Sequence, residues 1–286
     1  MDKIIKGQPA HDEHLTPLKE FTAARIAIGR TGVSIPTKQS LEFKLAHAHA
    51  RDAVYSVLDR DEMADKLKQF ALPVLFLHSK ADNRAQYLQR PDQGRKLKKS
   101  SASQLKDMAG NYDVSIIIAD GLSATAVNEN AIGLLQMLIP LLTAAGLRCA
   151  PICLVEQGRV AIADKIAHLL NAKLSLILIG ERPGLSAADS IGAYLTYDPK
   201  PGLTDESRNC ISNIRPQGLP YKPAAAKIFY LIQEAFRMKL SGVSLKDNQG
   251  LIGHSVICFA SLGHFATLSL GHLLRCHWAI GRLISG

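Results

Sequence analysis

The residues best placed to bind a ligand stand at the ends of three predicted strands. Each apolar segment runs into a turn that is rich in Gly, Pro and charged residues. The segments are Val114–Ala119, Arg148–Val155 and Leu174–Ile179, and the turns are Asp120–Ser123, Glu156–Val160 and Gly180–Leu185. Helical patterns separate the strands, which is typical of a parallel sheet with crossover helices. Because ligands bind such sheets outside the carboxyl ends of the strands, these turns predict a ligand site without naming the ligand.

The sequence lacks the common motifs for phosphate binding, metal ligation and serine catalysis. No GxGxxG follows a strand, and no GxxxxGK(S/T), HExxH or paired-Cys pattern occurs. Ser123 and Ser212 stand outside any GxSxG elbow. We find no nucleophile with a base beside it, so the sequence favours a binding or accessory subunit over a self-sufficient enzyme.

Each candidate residue also has an ordinary structural interpretation. Glu181-Arg182 is compatible with a solvated ion pair in a turn, and Val160 with the first apolar contact of a helix. Asp120 is compatible with a helix cap. Cys210 is compatible with a small buried apolar residue rather than a reactive thiol. Taken singly, none of these residues indicates a function.

Length and composition predict a globular protein with no nucleic-acid surface. The chain has 286 residues, of which 47% are apolar, so it has room for one large domain or a domain with an accessory region. The formal charge of +9 is dispersed, and the densest basic group comprises Arg90, Arg95, Lys96, Lys98 and Lys99. No aromatic residue interleaves that group as a stacking platform requires, so we interpret it as a solvated helix face or a surface for an acidic partner.

Cysteine usage and the first residues predict an intracellular, cytoplasmic protein. The five cysteines form no CxxC pair, and an odd, sparse set fits a reducing compartment. The N-terminal residues soon become polar and lack the apolar core of a secretory signal.

The first part of the chain is predicted to be helical. Residues 1–15 form a predicted flexible arm, and Thr16-Pro17 opens a helix that ends between Gly29 and Gly32. A second helical pattern follows Pro36, and Ala71–His78 is a short apolar segment compatible with a strand. In the following stretch, Pro91 disfavours helix at Arg90, and Asp92 is placed to cap the basic helix. A turn with a cap and a functional loop fit this stretch equally well. His47 and His49 point to different faces of a helix, which argues against a joint metal site.

The second part predicts an α/β fold of the Rossmann-like, doubly wound type with a mostly parallel sheet. Asn130–Ala145 has an inward apolar stripe, and another helix follows with Ile162 and Ile166 on its apolar face. Tyr194–Tyr197 and 210–214 are the last predicted strands, and a final helix starts near Pro223. The order of the strands in the sheet is not readable.

Five motifs considered together resemble the small (light) subunit of ethanolamine ammonia-lyase. In chain order they are Arg90-Pro91-Asp92-Gln93-Gly94-Arg95, Asp120-Gly121-Leu122-Ser123, Gly158-Arg159-Val160, Gly180-Glu181-Arg182-Pro183-Gly184-Leu185 and Cys210-Ile211-Ser212-Asn213-Ile214. The resemblance runs from about residue 16 to about residue 245.

The resemblance implies an adenosylcobalamin-dependent enzyme that converts ethanolamine to acetaldehyde and ammonia. The family's large subunit is a TIM-type barrel that carries the substrate and the catalytic residues, and the small subunit covers the cobalamin. By position, the cobalamin contacts of the family fall on Val160, Glu181 and Cys210, with Arg159 and Arg182 ranked below them. The resemblance places no catalytic residue and no metal ligand on this chain. The absence of a DxHxxG motif implies that cobalamin keeps its own benzimidazole ligand. The family also implies a location in a bacterial microcompartment, with no membrane or nucleic-acid partner.

These predictions divide the chain into four parts. They are a flexible arm (1–15), an N-terminal helical region (16–110), a Rossmann-like cobalamin-binding domain (111–245) and an atypical C-terminal extension (246–286). Asn248–Leu274 carries no formally charged residue. A membrane helix would need ~20 mostly apolar residues, but several Gly and His residues weaken that interpretation. The histidines and cysteines there lack metal-site spacing. We interpret the extension as sequence foreign to the family, such as out-of-frame or read-through sequence.

Two alternative functions remain open at the level of sequence. One is a non-catalytic scaffold or assembly protein that has kept the fold and lost cofactor binding. The other is a nucleotide-binding regulatory domain, which the missing phosphate motifs disfavour. Retention of the three predicted contact residues favours cobalamin binding over the scaffold.

Overall fold

A computed structural model describes residues 16–22 and 24–247 of the chain. The chain divides into two units between Lys246 and Asp247, and Asp247 is the single described residue of the second. The predicted arm (1–15) lies outside the described residues, and so does the predicted extension from residue 248 onward.

The N-terminal part is largely helical, with one long helix and several short ones. A 3-10 helix spans Thr16–Glu20, and the α-helices are α1 (Thr37–Tyr55), α2 (Arg60–Leu67), α3 (Arg84–Gln89), α4 (Pro91–Gly94) and α5 (Lys99–Asp107). The predicted long helix from Thr16 to Gly29–Gly32 is wrong. Ala27, Gly29 and Gly32 adopt positive φ values of 48°, 76° and 63°, which a right-handed helix cannot accommodate. Helix α1 begins directly after Pro36, as predicted.

One six-stranded sheet forms the centre of the fold. Its strands are β1 (Val74–His78), β2 (Tyr112–Ala119), β3 (Ile152–Glu156), β4 (Ala172–Gly180), β5 (Ile191–Tyr197) and β6 (Asn209–Ile214). Their spatial order is β1-β3-β2-β4-β5-β6. The first four strands are parallel, whereas β4 pairs with β5, and β5 with β6, in antiparallel fashion.

The prediction of a Rossmann-like, doubly wound fold is therefore wrong, whereas the predicted mostly parallel sheet is confirmed, with three parallel pairs against two antiparallel ones. The fold is mixed α/β, and one end of the sheet is antiparallel. The reason lies in the connections. A parallel pair needs a crossover of about a dozen or more residues, usually a helix, whereas residues 181–190 join β4 to β5 without one. The β5–β6 connection contains only the 3-10 turn Asp205–Ser207, so the chain reverses there as well.

Helices cover both faces of the parallel strands. Helix α6 (Ala124–Ala144) connects β2 to β3, α7 (Ile162–Leu170) connects β3 to β4, and α8 (Tyr221–Met238) follows β6. Along β2, Ile116 and Ile118 belong to the apolar cluster with α6 and α8, whereas Ile117 belongs to the cluster with α5 and α7. All three side chains are fully buried, as expected for strands covered on both faces, and each contributes about 1.5–3 kcal/mol by burial. This core holds the carboxyl ends of β2, β3 and β4 in fixed positions.

Among the described residues, no helix combines the length and apolar character needed to cross a bilayer.

Candidate functional site

The carboxyl ends of β2 and β4 meet through two glycines. Gly121 has φ +58°, and the amide of Leu122 donates to the Gly180 carbonyl at 2.9 Å. A Cβ at Gly121 would overlap the Gly180 carbonyl oxygen, and a Cβ at Gly180 would overlap the carbonyl oxygen of Ser123. Only residues without a side chain permit this backbone approach. The turns after β2 and β4 therefore form one rigid edge.

Asp120 holds the turn after β3 against the same edge. Its buried carboxylate accepts hydrogen bonds from the backbone amides of Gln157 at 2.8 Å and Gly158 at 3.1 Å, and Arg84 lies 3.9 Å away. Burial raises the pKa of Asp120 to about 6, although the amide bonds and Arg84 oppose this shift. The interpretation of Asp120 as a helix cap is wrong, because Ser123 caps α6 through its Oγ.

Two arginines stack on Tyr87, and this cluster packs against the turn that follows β3. The guanidinium groups of Arg84 and Arg159 lie 4.7 Å and 4.2 Å from the ring centre of Tyr87. Tyr87 is fully buried, and its hydroxyl donates to the Gly158 carbonyl at 3.1 Å. Burial raises the pKa of Tyr87, so the ring stays neutral. Sequence reasoning missed Tyr87 and Arg84 because neither belongs to a recognisable motif.

The motif from Arg90 to Arg95 serves the same cluster. A Cβ at Gly94 would lie 2.8 Å from Cγ of Arg159, and the Arg159 amide donates to the Gly94 carbonyl at 2.9 Å. Gly94 thus leaves room for the Arg159 side chain. Asp92 pairs with Arg90 at 2.9 Å and caps no basic helix, because α5 starts after Lys98 without a side-chain cap. The prediction of an Asp92 cap is wrong.

Two adjoining cavities, which we call the cleft, open above this edge. Their volumes are about 430 Å³ and about 350 Å³. Arg159, Val160 and Tyr194 line both. Glu181 lines the first and Cys210 the second. The structure therefore brings all three predicted contact residues to one continuous surface. Arg182 lines the first cavity as well.

Glu181 is fixed through one of its two carboxylate oxygens. Oε2 accepts hydrogen bonds from the Ser190 hydroxyl at 2.7 Å and from the Asn213 amide at 3.0 Å. Oε1 accepts no hydrogen bond from any residue in the described part of the chain. In that same part, no ion pair joins Glu181 to Arg182, so the solvated-pair interpretation does not hold. The carboxylate is oriented by β6 and keeps one oxygen available at the cleft.

The third predicted residue, Cys210, pairs across the sheet with Tyr194. The residue is solvent-exposed, so the interpretation of Cys210 as a small buried apolar residue is wrong. Partial desolvation raises the pKa of the Cys210 thiol, and the Glu181 carboxylate adds to the shift. The thiol is therefore protonated at neutral pH, which argues against a nucleophilic role.

A buried ion pair forms the floor beside Cys210. Arg208 donates through Nη1 to the Asp164 carboxylate at 2.7 Å, and the two side chains are only 3% and 2% exposed. Its Nη2 also donates to the Leu203 carbonyl at 3.1 Å, and Asp205 lies 3.4 Å from its Nε. This pair connects α7 to the start of β6. Sequence reasoning missed it because the two residues are far apart in the chain.

Comparison with known proteins identifies the family. Residues 12–246 match the family described as ethanolamine ammonia-lyase light chain (EutC). The chain belongs to this family. The resemblance predicted from the five motifs is thereby confirmed, and membership makes the chain one component of an ammonia-lyase.

Relatives of the light-chain family are similar over most of their length. The chain is 52% identical over 250 residues to the ethanolamine ammonia-lyase small subunit of Pseudomonas aeruginosa (strain LESB58), covering 86% of this chain and 91% of that protein. It is 51% identical over 243 residues to the small subunit of Azotobacter vinelandii (strain DJ / ATCC BAA-1303), covering 84% and 90%. For Pseudomonas putida (strain W619), identity is 49% over 251 residues, covering 86% and 91%.

The five motifs of this light chain line the cleft or support it. The segments 158–160, 180–185 and 210–214 contribute side chains to its walls. The segment 120–123 makes the glycine contact, and 90–95 packs under Arg159. The described residues contain no group of three or more His, Cys, Asp or Glu side chains arranged to hold a metal ion.

Proposed function

We propose that this chain is the small subunit of an adenosylcobalamin-dependent ethanolamine ammonia-lyase, which converts ethanolamine to acetaldehyde and ammonia. In this proposal the chain covers the cobalamin and contacts it through Val160, Glu181 and Cys210. The observation that carries the proposal is the convergence of these three residues on one cleft, from three different turns or strands.

The chemistry of the cleft suits a corrin ring. Corrin is a broad apolar disc whose rim carries amide side chains. Val160 offers an apolar surface, and Oε1 of Glu181 is an acceptor for an amide N–H. Arg159 lines both cavities, so its guanidinium can offer a donor to a rim carbonyl. The neutral Cys210 thiol adds a weakly polar contact. We infer that the residues present fit the cofactor.

The division of labour follows from what the cleft contains. When bound, adenosylcobalamin supplies a carbon-centred radical through its carbon–cobalt bond. The residues of this chain bind one side of the ring, orient it and exclude water from it. The cleft holds no nucleophile paired with a base. We therefore assign substrate binding and catalysis to a large subunit, whose existence the name "small subunit" of the relatives supports.

The proposed location is the cytoplasm, within a bacterial microcompartment. It rests on the cysteine pattern and on the family resemblance, and fractionation of cells grown on ethanolamine tests it.

The first prediction is that this chain has no lyase activity without a large subunit. We expect the chain purified alone to release no ammonia from ethanolamine, with or without adenosylcobalamin, because the proposal assigns the catalytic groups to the large subunit. Co-expression with a large subunit should restore acetaldehyde formation that depends on the cofactor. The measurement is a coupled acetaldehyde assay on the chain alone and on the complex. Turnover by the chain alone would refute the division of labour, and a complex that is active without adenosylcobalamin would refute the cofactor.

The second prediction concerns Glu181→Gln. The glutamine oxygen can still accept from Ser190 and Asn213, so the amide nitrogen would take the position of Oε1 and present a donor to the corrin amides. A hydrogen bond to a charged acceptor contributes about 1.5–3 kcal/mol, so we expect adenosylcobalamin to bind the complex about tenfold more weakly or worse. The affinity for ethanolamine should stay unchanged, and titrating cofactor and substrate separately measures both.

The matched control is Glu62→Gln, which removes a carboxylate on the surface of α2 that pairs with Lys66. It should leave both affinities unchanged. Unaltered cobalamin affinity in Glu181→Gln would remove Glu181 from the site. An effect on ethanolamine alone would place the active site on this chain.

A further inference from the structure

A third cavity adjoins the cleft and is lined by basic side chains. Its volume is about 610 Å³, and we call it the basic cavity. Its four basic residues come from separate parts of the chain. They are Lys80 after β1, Arg95 and Lys96 before α5, and Lys165 on α7. Arg95, Ala161 and Asp205 line both the basic cavity and the cleft, so the two are continuous.

The positive charges of the basic cavity are largely uncommitted. Within residues 16–22 and 24–247, the side chains of Lys80, Arg95 and Lys165 form no ion pair and no hydrogen bond. Lys96 lies 3.9 Å from Asp92, which is already bound to Arg90. Among the described residues, only Lys96 of these four cations has a carboxylate within 4 Å, and the mutual repulsion of the four favours binding of an anion.

The acidic residues of the basic cavity do not neutralise these cations. Asp164 is buried and receives the Arg208 guanidinium at 2.7 Å. Asp205 lies 3.4 Å from the same guanidinium. Four cations therefore line the basic cavity with two carboxylates, and both carboxylates lie within 3.4 Å of the Arg208 guanidinium, which lines the cleft instead.

Apart from Thr204, the uncharged side chains of the lining are apolar. Leu97, Ala102, Pro201 and Leu203 are among them. A ligand that carries an anionic group on an apolar body matches this combination of charge and shape. Several cations approaching from different sides suit the tetrahedral oxygens of phosphate better than a planar carboxylate, which one arginine can satisfy.

We propose that the basic cavity binds a phosphate group. Two sources share this chemistry. One is the phosphodiester in the nucleotide tail of cobalamin, which the continuity with the cleft would allow, and this source rests on the proposed function. The other is free phosphate or a small phosphate ester, which does not depend on it.

The test uses Lys80→Gln combined with Lys165→Gln, because both residues line the basic cavity and neither lines the cleft. Lys80 is exposed and Lys165 is half-buried, so the double variant should fold. The matched control is Lys106→Gln combined with Lys222→Gln, which removes the same charge from exposed positions outside all three cavities. All proteins are prepared as the complex with the large subunit.

One measurement is equilibrium dialysis of radiolabelled inorganic phosphate. The other compares the affinities for cobalamin and for cobinamide, which has the corrin ring but lacks the nucleotide tail. If the tail is the source, the cavity variant should bind cobalamin about tenfold more weakly and cobinamide unchanged. If free phosphate is the source, the cavity variant should lose phosphate binding by about tenfold and keep its cobalamin affinity.

Binding of phosphate, cobalamin and cobinamide that equals the control in every case would overturn the proposal. Equal weakening of cobalamin and cobinamide would overturn it too, because the effect would not involve the phosphate. Failure of the proposed function is a separate result. It would appear as a wild-type complex that binds neither corrinoid, and the phosphate dialysis would still decide whether the cavity binds an anion.

Discussion

Gly180→Ala is expected to destroy the edge that carries the cleft. The new Cβ would overlap the Ser123 carbonyl oxygen and lie 2.5 Å from the Asp120 carbonyl oxygen. Both obstacles are backbone atoms, so no side-chain rotation relieves the clash. The turns would have to separate, which breaks the bond from Leu122 and disturbs the Asp120 anchor. Overpacking typically costs about 1–3 kcal/mol and occasionally more, and we expect a cost near 3 kcal/mol here because the obstacles are backbone atoms. Urea denaturation followed by circular dichroism measures the loss.

The chain offers a close control in Gly184→Ala, four residues further along the same turn. The nearest atom to a Cβ there is the Ala187 carbonyl oxygen at 3.7 Å, an ordinary contact. We expect the free energy of unfolding of this variant to lie within about 0.5 kcal/mol of the wild-type value, as is usual for surface substitutions. Wild-type stability in Gly180→Ala would show that the two turns are not packed as described.

Arg208→Met should also be strongly destabilising. It leaves the Asp164 carboxylate, 2% exposed, without its guanidinium partner. Removing one member of a buried ion pair costs about 3–5 kcal/mol, because the remaining charge stays buried and uncompensated. The free energy of unfolding from urea titration should fall by that amount, and the wall of the cleft around Cys210 should loosen with it.

Replacing both partners separates the cost of leaving the Asp164 carboxylate unpaired from the net contribution of the ion pair to stability. Arg208→Met combined with Asp164→Leu removes both charges and fills the space with apolar atoms. We expect this double variant to recover most of the lost stability, since apolar replacements of buried ion pairs are often neutral or stabilising. A double variant no more stable than Arg208→Met would give a different cause for the lost stability. The loss would then come from the remaining contacts of Arg208, such as its hydrogen bond to the Leu203 carbonyl in the connection between β5 and β6. A single variant that loses less than about 1 kcal/mol would contradict the burial of the pair.

The positions of the later strands and helices were predictable because their signals are local. The run Val114–Ala119 lies inside β2, and 174–179 lies inside β4. The predicted helix Asn130–Ala145 lies largely within α6, which starts earlier because Ser123 caps it. Strand β3 begins later than predicted, after Pro151, whose nitrogen cannot donate to the ladder.

The five motifs were sufficient to identify the family, because each is a short contiguous string. They also predicted where a ligand site would form, since strand ends are readable from apolar runs followed by Gly and Pro. Val160, Glu181 and Cys210 accordingly line one cleft. Their contact with cobalamin remains a prediction.

Four features were decided by tertiary structure alone. The sheet order and the antiparallel end of the sheet depend on how residues 181–190 connect β4 to β5. Those residues show no hydrophobic periodicity that would distinguish a loop from a crossover helix. The cluster around Tyr87 and the pair Arg208–Asp164 join residues distant in sequence. The basic cavity likewise assembles Lys80 and Lys165 with Arg95 and Lys96, whereas the sequence predicted a solvated helix face or a surface for an acidic partner. Local propensity and motif spacing act over a few residues, whereas charge convergence and burial arise only when distant segments pack together. The sequence therefore determined the elements and the family, and packing decided which of their side chains share a site.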